Sequence, residues 1–275
     1  MSTAMYCGIA GTKAYQTGMD VIGNNISNVN TYGFKASRVM YRDLFYQTLQ
    51  NSTSASGGFG GSNPSQVGYG ATASTVDVLN TRSGRAPTGS SNDCYIDGEG
   101  YFVVDDGTTG KLYTRVGSFS FDGSGNLVDG NGRLVYGVDT SGALALVKVE
   151  KYNDYKDIKI GSDGTITGTP KAGGDIATLG SIAVANIPNP SGLTQMGGSY
   201  YRADGNAQSA TIKVSYSKAG ANGTGQLITS ALETSNTDLA NELTQMIINE
   251  RGFQANTKII TVSDEMMETL VNMKR

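Results

Sequence analysis

Carboxylates and two cysteine thiols are the main candidates for chemistry in this chain of 275 residues, which contains no histidine. Histidine is the commonest general base and a frequent metal ligand, so its absence removes the simplest routes to catalysis. The loop DGSGNLVDGNG has a calcium-like spacing, with Asp122, Ser124 and Asn126 at the first three ligand positions of an EF-hand. However, Leu127 replaces the required glycine and Arg133 replaces the closing glutamate. Two consecutive β-turns are therefore the preferred interpretation.

The remaining reactive groups form no recognisable site. The carboxylates are numerous, but no spacing singles out a catalytic pair, and no glycine loop with a phosphate-binding lysine is present. Cys7 and Cys94 lie far apart and form no CxxC pair, so each is expected to be a small buried side chain. The sequence thus predicts no enzyme, no metal and no cofactor.

Charge and hydropathy restrict the partners and the location. A net charge of −3 disfavours nucleic acid, which needs a basic surface. No apolar run approaches the length of a bilayer-spanning helix, so no membrane insertion is expected. The N-terminus lacks the basic segment and continuous apolar core of a secretory signal peptide. If the protein leaves the cell, we expect export by another route.

The N-terminal residues 1–32 carry a helical stripe of apolar side chains. Glycines interrupt the stripe, and each costs about 1 kcal/mol in a helix interior relative to alanine. The predicted helix therefore depends on packing against a partner, which small residues would allow to approach closely. The stripe is formed by Met5, Ile9, Tyr15, Met19, Ile22, Ile26 and Val29.

The C-terminal residues 229–275 show the strongest periodicity, a heptad that predicts a long helix with a coiled-coil-like seam. Thr234, Ser235 and Asn236 are the expected helix start, with Asp238 favourable near the helix N-terminus. The second core register is expected to be polar, at Asn236, Glu250, Thr257 and Asp264. The apolar heptad comprises Leu232, Leu239, Met246, Phe253, Ile260 and Met267, widened by Leu243 and Leu270.

The middle of the chain has a different pattern. Residues 76–228 alternate short β-prone runs with glycine-rich turns, which predicts a mainly antiparallel β domain. Residues 33–75 are rich in small polar side chains and predict an extended connector arm. The fold class is therefore α+β, with terminal helices that pack together and against other copies. Such a repeated contact, if it does not close, builds a helical tubular polymer.

Three motifs resemble the bacterial flagellar rod and hook protein family. The first is NNISNVNTYGFKASR, residues 24–38, and the second is the C-terminal segment 232–270. The third comprises YIDGEGYFVV, residues 95–104, and the following segment 113–132, which are similar to the shared β domain of that family. The resemblance covers both ends and much of the middle, and adds these candidate assembly residues: Asn24, Asn25, Asn28, Asn30, Gly33 and Phe34.

The resemblance implies a structural role. In that family, the terminal helices line a tube around an export channel, the connector wedges between neighbours, and the β domain forms the outer wall. Implied partners are further copies of the chain, the distal rod protein, the hook cap protein, the hook–filament junction protein and the flagellar type III export apparatus. The implied location is extracellular, in the flagellum, without a cleaved signal peptide.

Within the family, residues 60–75 and the ending TLVNMKR favour the short hook subunits of Gram-positive bacteria. A hook is a curved tube that transmits motor torque as a universal joint. The large outer domain of longer hook proteins is missing, a feature that distal rod proteins share, so a distal rod subunit is the alternative. A secreted β-rich binding or carbohydrate-active protein is the alternative of another class, and it would work as a monomer.

Overall fold

A computed structural model describes residues 3–54, 60–107, 110–139, 142–150, 152–171, 175–209 and 213–273. The chain divides into two compact units. The terminal unit contains Met1–Ser27, Ser37–Leu79 and Thr237–Arg275, and the central unit contains Asn28–Ala36 and Asn80–Asn236. The predicted α+β class is confirmed, with helices at the two ends and an antiparallel β-rich region between them.

The helices and strands have the following bounds. The helices are α1 (Thr3–Ser27) and α2 (Leu239–Met273). The first strands are β1 (Ser37–Asp43), β2 (Tyr46–Gln50), β3 (Ser65–Gly68), β4 (Ala71–Val78), β5 (Arg85–Pro87), β6 (Cys94–Asp97), β7 (Tyr101–Asp105), β8 (Lys111–Thr114), β9 (Phe119–Phe121), β10 (Leu127–Asp129) and β11 (Tyr136–Val138). They are followed by β12 (Leu144–Leu146), β13 (Tyr155–Ile160), β14 (Thr165–Pro170), β15 (Ala177–Ser181), β16 (Val184–Asn186), β17 (Leu193–Gly197), β18 (Tyr200–Ala203), β19 (Ser215–Ser217), β20 (Gln226–Thr229) and β21 (Ala231–Glu233).

The C-terminal helix starts later than the sequence predicted. Asp238, rather than the residues 234–236, caps α2: its Oδ1 accepts from the backbone N–H groups of Ala240 and Asn241 at 3.0 and 3.3 Å. A carboxylate there satisfies the free donors of the first turn. The predicted helical position of Leu232 is wrong, because Leu232 lies in β21 and is 5% exposed. It fills the core of the central unit.

The predicted connector arm is largely paired strand in this structure. β1 pairs antiparallel with β4, and β2 pairs antiparallel with β3, so the segment folds back on itself as a hairpin within the terminal unit. The pairing is carried by alternating β-prone residues in SRVMYRD and ATASTVDV, whose signal the small polar residues between them obscured. Part of the predicted arm, residues 55–59, lies outside the described residues.

The central unit is built around a six-stranded antiparallel sheet in the order β17-β18-β8-β7-β16-β19. The strand β7 lies in the middle and is buried on both faces. Phe102 and Val104 point into one apolar cluster, and Tyr101 and Val103 point into another. Successive side chains of a strand point to opposite faces, so β7 contributes to two apolar clusters, one on each side of the sheet. The segments 28–36 and 229–236, assigned from sequence to the connector arm and the terminal helices, belong to this unit.

Cys94 provides a chemical probe of the central unit. Its side chain is fully buried, and this burial raises the thiol pKa to about 12. Because the thiolate is the reactive species, we expect Cys94 to resist a thiol reagent in the folded protein and to react fully in denaturant. A Cys7→Ser variant isolates the signal in a colorimetric thiol assay. Rapid modification of the native variant would contradict the described packing.

Candidate assembly surface

The residues considered for chemistry form turns. The backbone N–H of Gly125 donates to Asp122 at 3.0 Å, and that of Gly132 donates to Asp129 at 3.0 Å. These are the two predicted β-turns. Backbone N–H groups, chiefly that of Ser124, lower the pKa of the Asp122 carboxyl. Within the described ranges, no group of three or more acidic or thiol side chains is gathered to hold a metal.

The functional geometry of the terminal unit is an antiparallel pairing of α1 with α2. We call each pair of residues that face each other across the two helices a rung. From one rung to the next, the residue number rises along α1 and falls along α2. The spacing of three and four residues on both helices is that of a coiled-coil seam. The rungs are Gly8 with Ile260, Gly11 with Asn256, Tyr15 with Gly252, Gly18 with Asn249, and Asn25 with Glu242.

Glycine allows this close approach. A Cβ added at Gly8 would lie 2.9 Å from Cγ1 of Ile260, and one at Gly11 would lie 2.6 Å from Oδ1 of Asn256. On the other helix, a Cβ at Gly252 would lie 2.5 Å from the ring of Tyr15. The glycines that weaken α1 in isolation are therefore the residues that let it dock.

The seam has a different second register from the predicted one. The apolar heptad of Met246, Phe253 and Ile260 is half-buried. The second row of the seam is polar and lies three residues after each of these positions. Its members Asn249 and Ser263 are only 7% and 4% exposed. The predicted companions Glu250, Thr257 and Asp264 are exposed. Gly18 of α1 lies opposite Asn249 and Gly11 lies opposite Asn256, which leaves room for these two amide side chains.

The side chain of Asn25 links three segments of the terminal unit through hydrogen bonds. It is 1% exposed. Its amide Nδ2 donates to the carbonyl of Ser37 at 2.8 Å and to Oε1 of Glu242 at 3.1 Å. Its Oδ1 accepts from the N–H of Ser37 at 2.9 Å. One side chain thereby joins α1, the start of β1 and the first turn of α2, which gives a physical role to an asparagine of the N-terminal motif.

Glu242 gives this contact a pH dependence. Burial raises the pKa of its carboxyl, an effect that the Asn25 hydrogen bond only partly offsets. The folded protein therefore retains this proton to a higher pH than the unfolded chain. The resulting stabilisation is present below the ordinary pKa and is lost as the pH rises through the raised value. We expect Glu242→Gln to increase stability at neutral pH by less than about 1 kcal/mol.

Urea unfolding followed by circular dichroism, at acidic and at neutral pH, measures this effect. The Gln variant should lose part of the wild-type difference between the two pH values. Glu250→Gln is the matched control, because Glu250 is an exposed glutamate of the same helix. An equal effect in both variants would refute the assignment.

The predicted N-terminal assembly residues fall into different environments. Ile22 and Asn25 are buried within the terminal unit. Met5, Met19 and Ile26 are half-buried, whereas Ile9 and Asn24 are exposed. The remaining motif residues lie beyond α1: Asn28 and Val29 are half-buried and Asn30 is exposed, while Gly33 is buried and Phe34 is half-buried. Gly33 has φ +67°, and its N–H donates to the carbonyl of Glu233 at 2.9 Å.

Several apolar side chains of α2 are exposed at the two ends of the helix, where α1 does not cover them. Leu239, Leu243 and Ile247 are 44–58% exposed at its start. Continuing the rungs places Thr3 opposite Asp264, so the last turns of α2 extend past the described part of α1. These turns carry Met266, Met267, Leu270, Val271 and Met273, which are 53–77% exposed. We call Leu239, Leu243, Ile247 and these five residues the α2 face.

A buried ion cluster joins distant parts of the central unit. Nζ of Lys35 lies 2.6 Å from Oε1 of Glu233, and both side chains are fully buried. Oε1 also accepts from the N–H of Ser83 at 3.1 Å. Arg115 lies 3.6 Å from Oε2 of the same carboxylate and donates to the carbonyl of Gly98 at 3.0 Å. Burial lowers the pKa of Lys35, and Glu233 opposes that shift.

Comparison with known proteins places this geometry in a family. Residues 5–35 match the family described as flagella basal body rod protein, and residues 228–273 match the C-terminal family of flagellar basal body rod FlgEFG proteins. Residues 95–168 match the D1 domain of the flagellar hook proteins FlgE/F/G. The flagellar basal-body rod protein FlgG of Bacillus subtilis is 41% identical over 275 residues, which cover all of both chains. The chain belongs to the flagellar rod and hook protein family.

Other relatives, named as rod and as hook proteins, match different shares of this chain. The basal-body rod protein FlgG of Buchnera aphidicola subsp. Baizongia pistaciae is 34% identical over 98% of this chain and 99% of its own length. The flagellar hook protein FlgE of Borreliella burgdorferi is 37% identical over only 50% of this chain and 31% of its own length. The chain is thus a structural component of the flagellum, and neither helix, over its described residues, is long and apolar enough to cross a membrane.

Proposed function

We propose that this chain is the subunit of a tubular polymer in the distal rod of the flagellum. The proposal rests on the α2 face, whose eight apolar side chains are all exposed in the single chain. Burying a large apolar side chain contributes about 1.5–3 kcal/mol, so exposed residues of this kind along one helix favour association. The terminal unit cannot cover the last turns of α2 with the described part of α1. Other copies of the chain are the natural cover.

The rod assignment replaces the expectation of a hook. The end-to-end similarity to rod proteins supports it, whereas the hook protein of Borreliella burgdorferi is similar over half of the chain. The partners of a rod subunit would be further copies, adjoining rod or hook subunits and the type III export apparatus. The hook cap and hook–filament junction proteins, which the resemblance also implied as partners, are not part of this proposal.

The proposed interface between copies contains fewer of the C-terminal residues than the sequence suggested. Leu239, Leu243, Met267 and Leu270 remain in the proposed interface because they are exposed. Met246, Phe253 and Ile260 act chiefly within the α1–α2 seam, and Leu232 is removed because the core of the central unit encloses it.

A truncation ending at Ser263 tests the proposal. It removes the overhanging turns of α2 and keeps every rung of the seam, so the folded monomer should persist by circular dichroism. We expect the full chain to form tubes visible by electron microscopy, and the truncated chain to remain monomeric at the same concentration. Tube formation by the truncated chain would refute the assembly role of these turns. A full chain that stays monomeric would instead favour a monomeric binding protein.

A further inference from the structure

Phe45 is an exposed aromatic side chain on a fixed backbone. It is 85% exposed. The N–H of Leu44 donates to the carbonyl of Gly70 at 2.8 Å, and the N–H of Tyr69 donates to the carbonyl of Phe45 at 3.1 Å. These bonds hold Phe45 between β1 and β2, so the ring projects from an ordered hairpin. Neighbouring apolar side chains of this hairpin are also exposed, and an exposed apolar patch of this kind marks an interaction site.

The same unit contains a cavity that its own side chains leave open. The cavity measures about 300 Å³ and lies between α1, β1 and α2. Val21, Ile22, Val39 and Leu79 contribute its apolar lining, and Gly18 leaves one wall without a side chain. Phe45 does not line it. The cavity is a separate surface of the terminal unit from the one that carries Phe45.

Each of the two surfaces carries one cation and one anion, which can pair with their opposites across a contact between copies. The cavity is lined by one cation and one anion, Arg38 and Glu242. Phe45 follows closely on Arg42 and Asp43, which also supply one cation and one anion. The contact between Arg38 and Asp77 is long, at 4.0 Å, and both side chains are about half exposed, so Arg38 can accept a second acidic partner.

We propose that Phe45 of one copy inserts into the α1–β1–α2 cavity of the next copy. The inference rests on the proposed function, because it identifies one contact of that polymer. The contact joins two different surfaces, so it is heterologous. A heterologous contact that does not close into a ring generates an open helical filament, whereas a self-complementary contact would stop at a dimer.

Photo-crosslinking tests the contact directly. Benzoylphenylalanine replaces Phe45 in chains that are mixed at a low fraction with isotope-labelled wild-type chains, and the mixture is polymerised and irradiated. We expect crosslinks from the labelled copy to map to residues 18–22, 37–41 or 241–249. Benzoylphenylalanine at Leu49, which is 63% exposed in the same hairpin, is the matched control and should map elsewhere.

A substitution measures the contribution of the same contact. Phe45→Ala should raise the critical concentration for polymerisation about tenfold or more, and Phe45→Leu should raise it less. Two results would overturn this inference and leave the proposed function standing. One is a polymer whose crosslinks from position 45 map only outside the cavity, and the other is an unchanged critical concentration for Phe45→Ala. Failure of the wild-type chain to polymerise would overturn both.

Discussion

Glu233→Gln is expected to lower the free energy of unfolding of the central unit by about 3–5 kcal/mol. The carboxylate is fully buried against Lys35 at 2.6 Å, and Arg115 lies 3.6 Å away. Removing its charge leaves two buried cations without an anion, which costs more than the loss of the attraction alone. Because Glu233 pairs with a lysine 198 positions earlier in the chain, the cluster holds together distant segments of the central unit.

Chemical denaturation measures this loss, with Cys94 labelling as the probe of the central unit. Asp97→Asn is the matched control, because the Arg82–Asp97 pair is about half exposed and should contribute at most about 1 kcal/mol. Adding Lys35→Met to Glu233→Gln should recover part of the stability by removing one unpaired charge. Equal effects of the buried and the exposed substitutions would contradict the electrostatic account.

Gly18→Leu is expected to destabilise the terminal unit by about 1–3 kcal/mol or to separate α1 from α2. A Cβ at this position would clash with the hydroxyl of Tyr41 and would lie 2.9 Å from Nδ2 of Asn249. Overpacking a close helix contact forces one of the helices to move. The helical circular dichroism signal should therefore be lost at a lower urea concentration than in the wild-type chain.

Gly23→Ala is the matched control in the same helix. No atom lies within 4 Å of a Cβ added there, so alanine should stabilise the chain by up to about 1 kcal/mol. The two substitutions act in opposite directions if the seam is as described. A stabilising effect of Gly18→Leu would contradict the rung geometry.

The sequence predicted those parts of the structure that depend on local pattern. The heptad through Met246, Phe253 and Ile260 indicated a long helix with a seam, and the short β-prone runs between glycine-rich turns indicated an antiparallel β domain. It misplaced the partner register because glycine and asparagine, rather than apolar residues, carry the contacts at Gly11–Asn256 and Gly18–Asn249. A search for apolar stripes has no means of detecting such rungs.

Long-range pairing accounts for the other differences. Leu232 fits the heptad spacing, but β21 pairs with β5, and this pairing takes the residue into the central unit. The ion cluster of Lys35 and Glu233 gave no local signal, because the charges are far apart in sequence. The polar composition of 33–75 concealed a hairpin whose strands are separated in sequence by a glycine- and serine-rich segment.

The measurement that tests the central claim most directly is electron microscopy of the polymer formed by the purified full-length chain. Straight hollow tubes are the result that we predict for a distal rod subunit. Curved tubes would contradict the rod assignment and restore the expectation of a hook. A chain that remains monomeric at every concentration would contradict assembly through the α2 face itself.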